Sequence, residues 1–135
     1  MTTETLQRES TGFKDRNKSY FTAFNNDITP SAIACPESAD DVALLIREAR
    51  ECDAEIGVRG GGHTPWKGAA NIDDRLVIDM RNMTGVTLSA DKSTVSIRAG
   101  ERWGHVYETL AAEGLATVGG RVSRVGVVGL TLGGK

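Results

Sequence analysis

A short apolar run that halts at an arginine and opens into three glycines constrains this chain most: Ile56-Gly57-Val58-Arg59-Gly60-Gly61-Gly62-His63-Thr64. The run reads as a strand over residues 55–59. Glycine lacks a Cβ, so the backbone beyond it is free to take positive φ and to let a ligand approach its amides closely. Consecutive amides in such a turn form a concave anion site suited to a pyrophosphate. His63, just past that site, is the one side chain there with nucleophilic chemistry. A second glycine-rich segment at residues 126–134 strengthens the signal.

The flanking pattern supplies the frame. Ala32-Ile33-Ala34-Cys35 reads as a buried strand stopped by Pro36. Ser38, with Asp41 three positions on, reads as a helix start. Val42, Leu45, Ile46 and Ala49 fall on one helical face, which predicts a helix over residues 39–52. Strand, helix and strand make a βαβ unit whose glycines sit at the carboxyl end of a strand, where open α/β sheets place ligands. Leu76-Val77-Ile78-Asp79-Met80 is a third apolar run and predicts a third strand of that sheet. Val86-Thr87-Leu88 and the alternating Thr94-Val95-Ser96-Ile97-Arg98-Ala99 predict an antiparallel hairpin opening a second lobe. A helix over residues 102–113 follows, with Trp103, Val106, Tyr107, Leu110 and Ala111 on one face and Gly114 as its stop. Residues 1–27 show no clear periodicity and read as an N-terminal extension. In it Tyr20, Phe21 and Phe24 suggest docking on the body, and Asn25-Asn26-Asp27 reads as a turn.

The 135 residues carry 39% hydrophobic and 25% charged side chains, enough apolar material for a core. Net charge is −2 and aromatics make up only 5%, which argues against a nucleic-acid partner. No apolar run has the length of a membrane span, and the polar N-terminus lacks the core of a signal peptide. The default expectation is a soluble cytoplasmic chain. Cys35 and Cys52 fit no zinc or redox spacing. Two histidines without a carboxylate at suitable spacing make no metal site. Neither glycine segment has the spacing of a Rossmann or P-loop motif. His105 reads as a helix-surface residue and Asp73-Asp74 as a solvated turn. Trp66 is either a cofactor-lining or a surface aromatic, and exposure is the default for Arg121 and Arg124.

Several motifs in order carry a family resemblance: Arg-Gly-Gly-Gly-His, Leu-Val-Ile-Asp, Thr-Val-Ser-Ile-Arg-Ala-Gly, Trp-Gly-His-Val-Tyr, Gly-Gly-Arg-Val and Val-Gly-Val-Val-Gly-Leu-Thr-Leu-Gly-Gly. Over residues 28–134 the chain resembles the first half of the FAD-binding domain of the p-cresol methylhydroxylase type. Within that superfamily it is most similar to the berberine-bridge-enzyme-like FAD-linked oxidases. The resemblance implies an α+β fold: an α/β-type first lobe with a three-stranded sheet (residues 28–83), then the start of a mostly antiparallel second lobe (84–135), with FAD between them. It implies a flavoprotein oxidoreductase in which hydride passes from a small organic substrate to the flavin, with oxygen as acceptor. His63 would bond through a ring nitrogen to the flavin 8α-methyl, making the flavin a stronger oxidant. The implied cofactor contacts are Arg59, Gly60, Gly61, Gly62, His63 and Thr64 from the first lobe. Gly120, Val122, Gly126, Gly129, Thr131 and Gly133 complete the set from the second. Many relatives carry a second flavin-linking cysteine where this chain has Val122, so the likeness is to histidyl-only members. The family places substrate and base residues in a C-terminal region, so no catalytic residue is assigned. The second lobe has not closed its sheet, and the chain reads as the N-terminal piece of something longer. The alternative reading is a truncated, inactive relative that folds partly or pairs with another chain.

Overall fold

The computed structural model describes residues 3–133. Its first lobe is a four-stranded sheet in the order β1-β2-β4-β3, with β1 (Glu4–Gln7), β2 (Ala32–Cys35), β3 (Ile56–Arg59) and β4 (Leu76–Asp79). β2, β4 and β3 run parallel, with Ile33 opposite Val77 and Val58 opposite Ile78. β4 thus lies between the two strands of the expected βαβ unit. β1 adds a fourth strand to the expected three and pairs antiparallel with β2, Leu6 opposite Ile33.

Both faces of the sheet are covered, which is why its strands read as unbroken apolar runs. Side chains alternate across the sheet. Ile33, Cys35 and Val77 pack with Phe13 of α1 (Thr11–Asn17) on one face. Ala34 and Ile78 pack with Leu45 of α3 (Ala39–Glu51) on the other. α3 starts as its sequence predicts: Ser38 Oγ accepts from the Asp41 amide at 3.1 Å, and the Asp41 carboxylate accepts from the Ser38 amide at 3.0 Å. A cap of this kind contributes about 1 kcal/mol.

Residues 1–27, as far as they are described, are joined to this body: β1 extends the sheet, and Phe13 lies in its core. Asn25 and Asn26, expected in a turn with Asp27, instead close the short helix α2 (Ala23–Asn26), with Asp27 as its C-cap. Of the three aromatics expected to dock, Tyr20 is buried, whereas Phe21 and Phe24 are 62% and 64% exposed.

The second lobe begins with the hairpin β5 (Val86–Leu88) and β6 (Val95–Ile97), Val86 opposite Ile97. Val86, Leu88, Val95 and Ile97 form one face, which packs on Trp103, Val106 and Leu110 of α4 (Trp103–Ala112) and on Val127. Ala111, expected on that helical face, is exposed. Gly114 ends the helix at φ +69°. The chain then returns alongside the start of α4, where Trp103 N donates to Val125 O (3.0 Å) and Val127 N to Glu101 O (2.9 Å). It enters a further helix, α5 (Val127–Leu132). No helix among the described residues is long and apolar enough to cross a membrane.

Candidate functional site

The site forms where β3 ends. Arg59, its last residue, turns a fully buried guanidinium under the loop that follows. Nη1 donates to Arg16 O at 2.7 Å, and Nη2 donates to Ser19 O at 2.8 Å and to Ser19 Oγ at 3.1 Å. The guanidinium carbon lies 3.6 Å from the centroid of the Tyr20 ring. Burial pushes Arg59 down to about 10, with the Arg81 charge adding to the effect, so it remains a cation at neutral pH. Burial pushes the Tyr20 phenol up to about 12, against the opposing pull of Arg59.

Each glycine of the loop answers to a different neighbour. Gly62 stands at φ +69°, and a Cβ there would lie 2.7 Å from Arg59 Nε. A Cβ on Gly61 would lie 2.4 Å from the Gly126 amide nitrogen. A Cβ on Gly60 would meet nothing within 4 Å, and the same holds for Gly129. Packing therefore explains Gly61 and Gly62 and leaves Gly60 and Gly129 bare toward open space.

The loop's hydrogen bonding is one-sided. Gly62 O accepts from Phe21 N (3.0 Å), and Thr64 O accepts from the buried Asn25 side chain (3.2 Å). The amides of Gly61, Gly62, His63 and Thr64 donate to no main-chain carbonyl among the described residues. Four successive free N–H groups are what a diphosphate needs from a protein backbone.

Beside this loop lies a cavity of about 360 Å³, within the usual range for ligand pockets. Seven residues expected from the sequence line it: Gly60, Gly61, Gly62, His63, Thr64, Gly126 and Gly129. Val58, Ala69, Ala70, Val125 and Leu130 give it apolar walls. Gly61 and His63 also line a smaller cavity of about 190 Å³ with Ser19, Tyr20, Phe21, Arg102 and Arg124. The His63 ring stacks on Phe21, centroids 3.9 Å apart and planes inclined by 15°.

Five expected residues do not line the larger cavity. The Arg59 side chain is spent on the clamp beneath the loop. Gly120 packs on the Trp103 indole, which a Cβ would meet at 2.5 Å, and its carbonyl accepts from Tyr107 Oη. Val122 is half exposed. Thr131 Oγ1 donates to Val127 O within α5, and Gly133 caps that helix. Trp66 is 75% exposed and lines neither cavity. Asp73 accepts from Thr29 N, and Asp74 pairs with Arg8. His105 bonds through Nδ1 to the buried Glu101 carboxylate at 2.9 Å.

The roles of two residues in the site are not legible in the sequence, which offers Phe21 as a docking aromatic and Asn25 as a turn residue. Asn25 is fully buried, and its amide nitrogen holds Thr64 O and Trp66 O while its oxygen accepts from Gly68 N. Phe21 meets His63. Both lie in a stretch without periodicity, and only the long-range contacts reveal them.

The bare glycines, the free amides and the apolar walls fit a flavin dinucleotide, and known proteins of similar sequence and fold agree. Residues 30–135 match the FAD binding domain family. The FAD-dependent monooxygenase CTB5 of Cercospora beticola is 41% identical over 117 residues, covering 82% of this chain and 22% of that protein. The crystal structure of 6-hydroxy-D-nicotine oxidase from Arthrobacter nicotinovorans superposes with a TM-score of 0.85 at 34% identity, covering 96% of this chain and 28% of the other. BBE-like 1 of Physcomitrella patens shares the fold, with a TM-score of 0.81 at 22% identity over 94% of this chain and 28% of that one.

The chain belongs to the FAD binding domain family. It spans about a fifth to a quarter of the length of the curated relatives it matches, with coverage of 22% in the C. beticola protein.

Proposed function

We propose that the larger cavity holds FAD, with its diphosphate against the amides of residues 61–64 and its isoalloxazine ring tethered to His63. The run of free amides ending at a histidine on the cavity wall carries this reading. Gly60 and Gly129 leave the main chain open to the cofactor, and the apolar wall excludes water from it. When bound, the flavin supplies the redox chemistry: it takes a hydride from an alcohol, amine or sugar C–H, and oxygen takes up the electrons. The chain's own part is to bind, orient and tether. In the tethering step one C–H bond of the 8α-methyl and the imidazole N–H break, and one C–N bond forms. The two electrons and two protons released end on molecular oxygen as hydrogen peroxide. The name of the similar 6-hydroxy-D-nicotine oxidase points to a small organic substrate. Residues that choose it belong to the part of such proteins that this chain does not span.

The test is chemical. Protein expressed from its complete reading frame should be yellow, and its flavin should survive acid precipitation. His63→Ala should release the flavin into the acid supernatant while the folded variant still binds FAD reversibly. A colourless product after incubation with FAD overturns cofactor binding. Acid-stable flavin in His63→Ala overturns the tether alone.

A further inference from the structure

We propose that Phe21 is a positioning residue that holds the His63 imidazole in the orientation needed for attachment to the flavin. This rests on the reading of His63 as the tether. Phe21 lies outside the matched family segment, which begins at residue 30. It reaches the loop twice. Its ring stacks on His63 at 3.9 Å, and its amide donates to the carbonyl of Gly62, the residue before His63. Stacking fixes the plane of the imidazole and leaves the ring nitrogens, which lie in that plane, open to react.

The segment that carries Phe21 is held from beneath. Ser19 is bonded by Arg59 through its carbonyl and hydroxyl, and Arg81 Nη1 donates to the same hydroxyl at 2.9 Å. Tyr20 is buried, and its hydroxyl donates at 2.9 Å to the carbonyl of Ala70, a residue of the larger cavity's wall. Phe21 itself remains 62% exposed. A ring that buries so little contributes little to the core, yet its backbone is over-determined. Phe21 lines the smaller cavity and not the larger one, whereas His63 lines both. The phenyl ring therefore braces the imidazole without occupying the space assigned to the cofactor. A displacement of a reacting atom by about 1 Å can cost up to 100-fold in rate, so fixing this one ring has a measurable effect.

The experiment compares Phe21→Leu, which keeps apolar bulk, with Phe21→Tyr, which keeps the ring. Apoprotein from the complete reading frame is mixed with FAD. Covalent attachment is followed by in-gel flavin fluorescence after acid denaturation, and reversible affinity is taken from flavin fluorescence at early times. Phe21→Leu should slow attachment by about tenfold, with reversible affinity within about twofold of the parent, and Phe21→Tyr should restore the parent rate. Attachment at the parent rate in Phe21→Leu overturns the proposal and leaves the tether reading standing. So does equal slowing by Leu and Tyr, because the ring is then not the agent. A loss of reversible affinity in proportion to the rate also overturns it, since Phe21 would then be part of the binding surface. No acid-stable flavin in the parent, or retention of it in His63→Ala, removes the tether and Phe21's role with it.

Discussion

The main chains of Gly61 and Gly126 meet in direct contact, one of the places where the two lobes join. A Cβ on Gly61 would lie 2.4 Å from the Gly126 nitrogen and 2.6 Å from its Cα, and a Cβ on Gly126 would lie 2.4 Å from the Gly61 nitrogen. Backbone cannot swing aside as a side chain can. Either alanine substitution must therefore push the lobes apart, at a cost of about 1–3 kcal/mol. Gly61→Ala and Gly126→Ala should each lower the urea midpoint. Combined, they should cost less than the sum of the two, because the first separation relieves the second clash. Strict additivity in that cycle would place the lobe contact elsewhere.

Gly60 and Gly129 predict the opposite separation of effects. At neither position would an added methyl group meet another atom within 4 Å, and both residues line the larger cavity. Alanine should leave the apoprotein's thermal midpoint no lower than the parent's, and at Gly129, inside α5, should add about 0.5–1 kcal/mol of helix preference. FAD affinity should fall, because the methyl group takes space and crowds the amides. Titration of apoprotein with FAD checks this. Unchanged affinity in both variants would move the cofactor away from these glycines.

The clamp under the loop should be costly to remove. Arg59→Met deletes three hydrogen bonds and leaves the Ser19 carbonyl without its Arg59 donor, whereas Arg16 O keeps the Ser19 amide and hydroxyl. Losses of about 1–3 kcal/mol follow from removing a charged donor and stranding such a group. The amides of Ser19 and Phe21, bonded in the parent to Arg16 O and to Gly62 O of the loop, should lose protection from hydrogen exchange together, because one guanidinium joins both segments. Loss at only one of the two amides would contradict the clamp.

The sequence shows the parts whose periodicity is local. Val42, Leu45, Ile46 and Ala49 mark the inner face of α3, and Leu45 and Ala49 are buried as expected. The glycine loop and its histidine are equally plain, because turn chemistry is written in adjacent residues. What depends on distant partners is silent. Glu4-Thr5-Leu6-Gln7 has one apolar residue, so β1 shows no strand pattern although it pairs in register with β2. Nothing in the periodicity of β4 says that it inserts between β2 and β3. Arg59 reads as a strand end and a cofactor contact, not as a buried clamp, since the carbonyls that bury it lie about 40 residues earlier in the chain. The three glycines look alike in sequence, and only their neighbours separate the packed Gly61 and Gly62 from the open Gly60.

Asp79 couples the stability of the fold to acid pH. Its buried carboxylate accepts from Arg81 Nε at 2.9 and 3.0 Å and from Arg81 Nη2 at 2.5 Å, and Arg16 Nη1 lies 3.1 Å away. Burial alone would raise its pKa, but the bonds from Arg81 and the charges of Arg81, Arg59 and Arg16 outweigh it and hold the carboxyl below the usual range. A depressed folded value means that its stabilisation is fully present above the unfolded value of about 3.9 and is lost as pH falls through the folded one. Asp79→Asn should cost about 3 kcal/mol at neutral pH, because it leaves Arg16 and Arg81 without their counter-charge. The variant should also lose less stability than the parent between about pH 5 and pH 2, a window set by that downward shift and read as urea midpoints at successive pH values. Parallel pH curves for parent and variant would assign the acid sensitivity to other carboxylates.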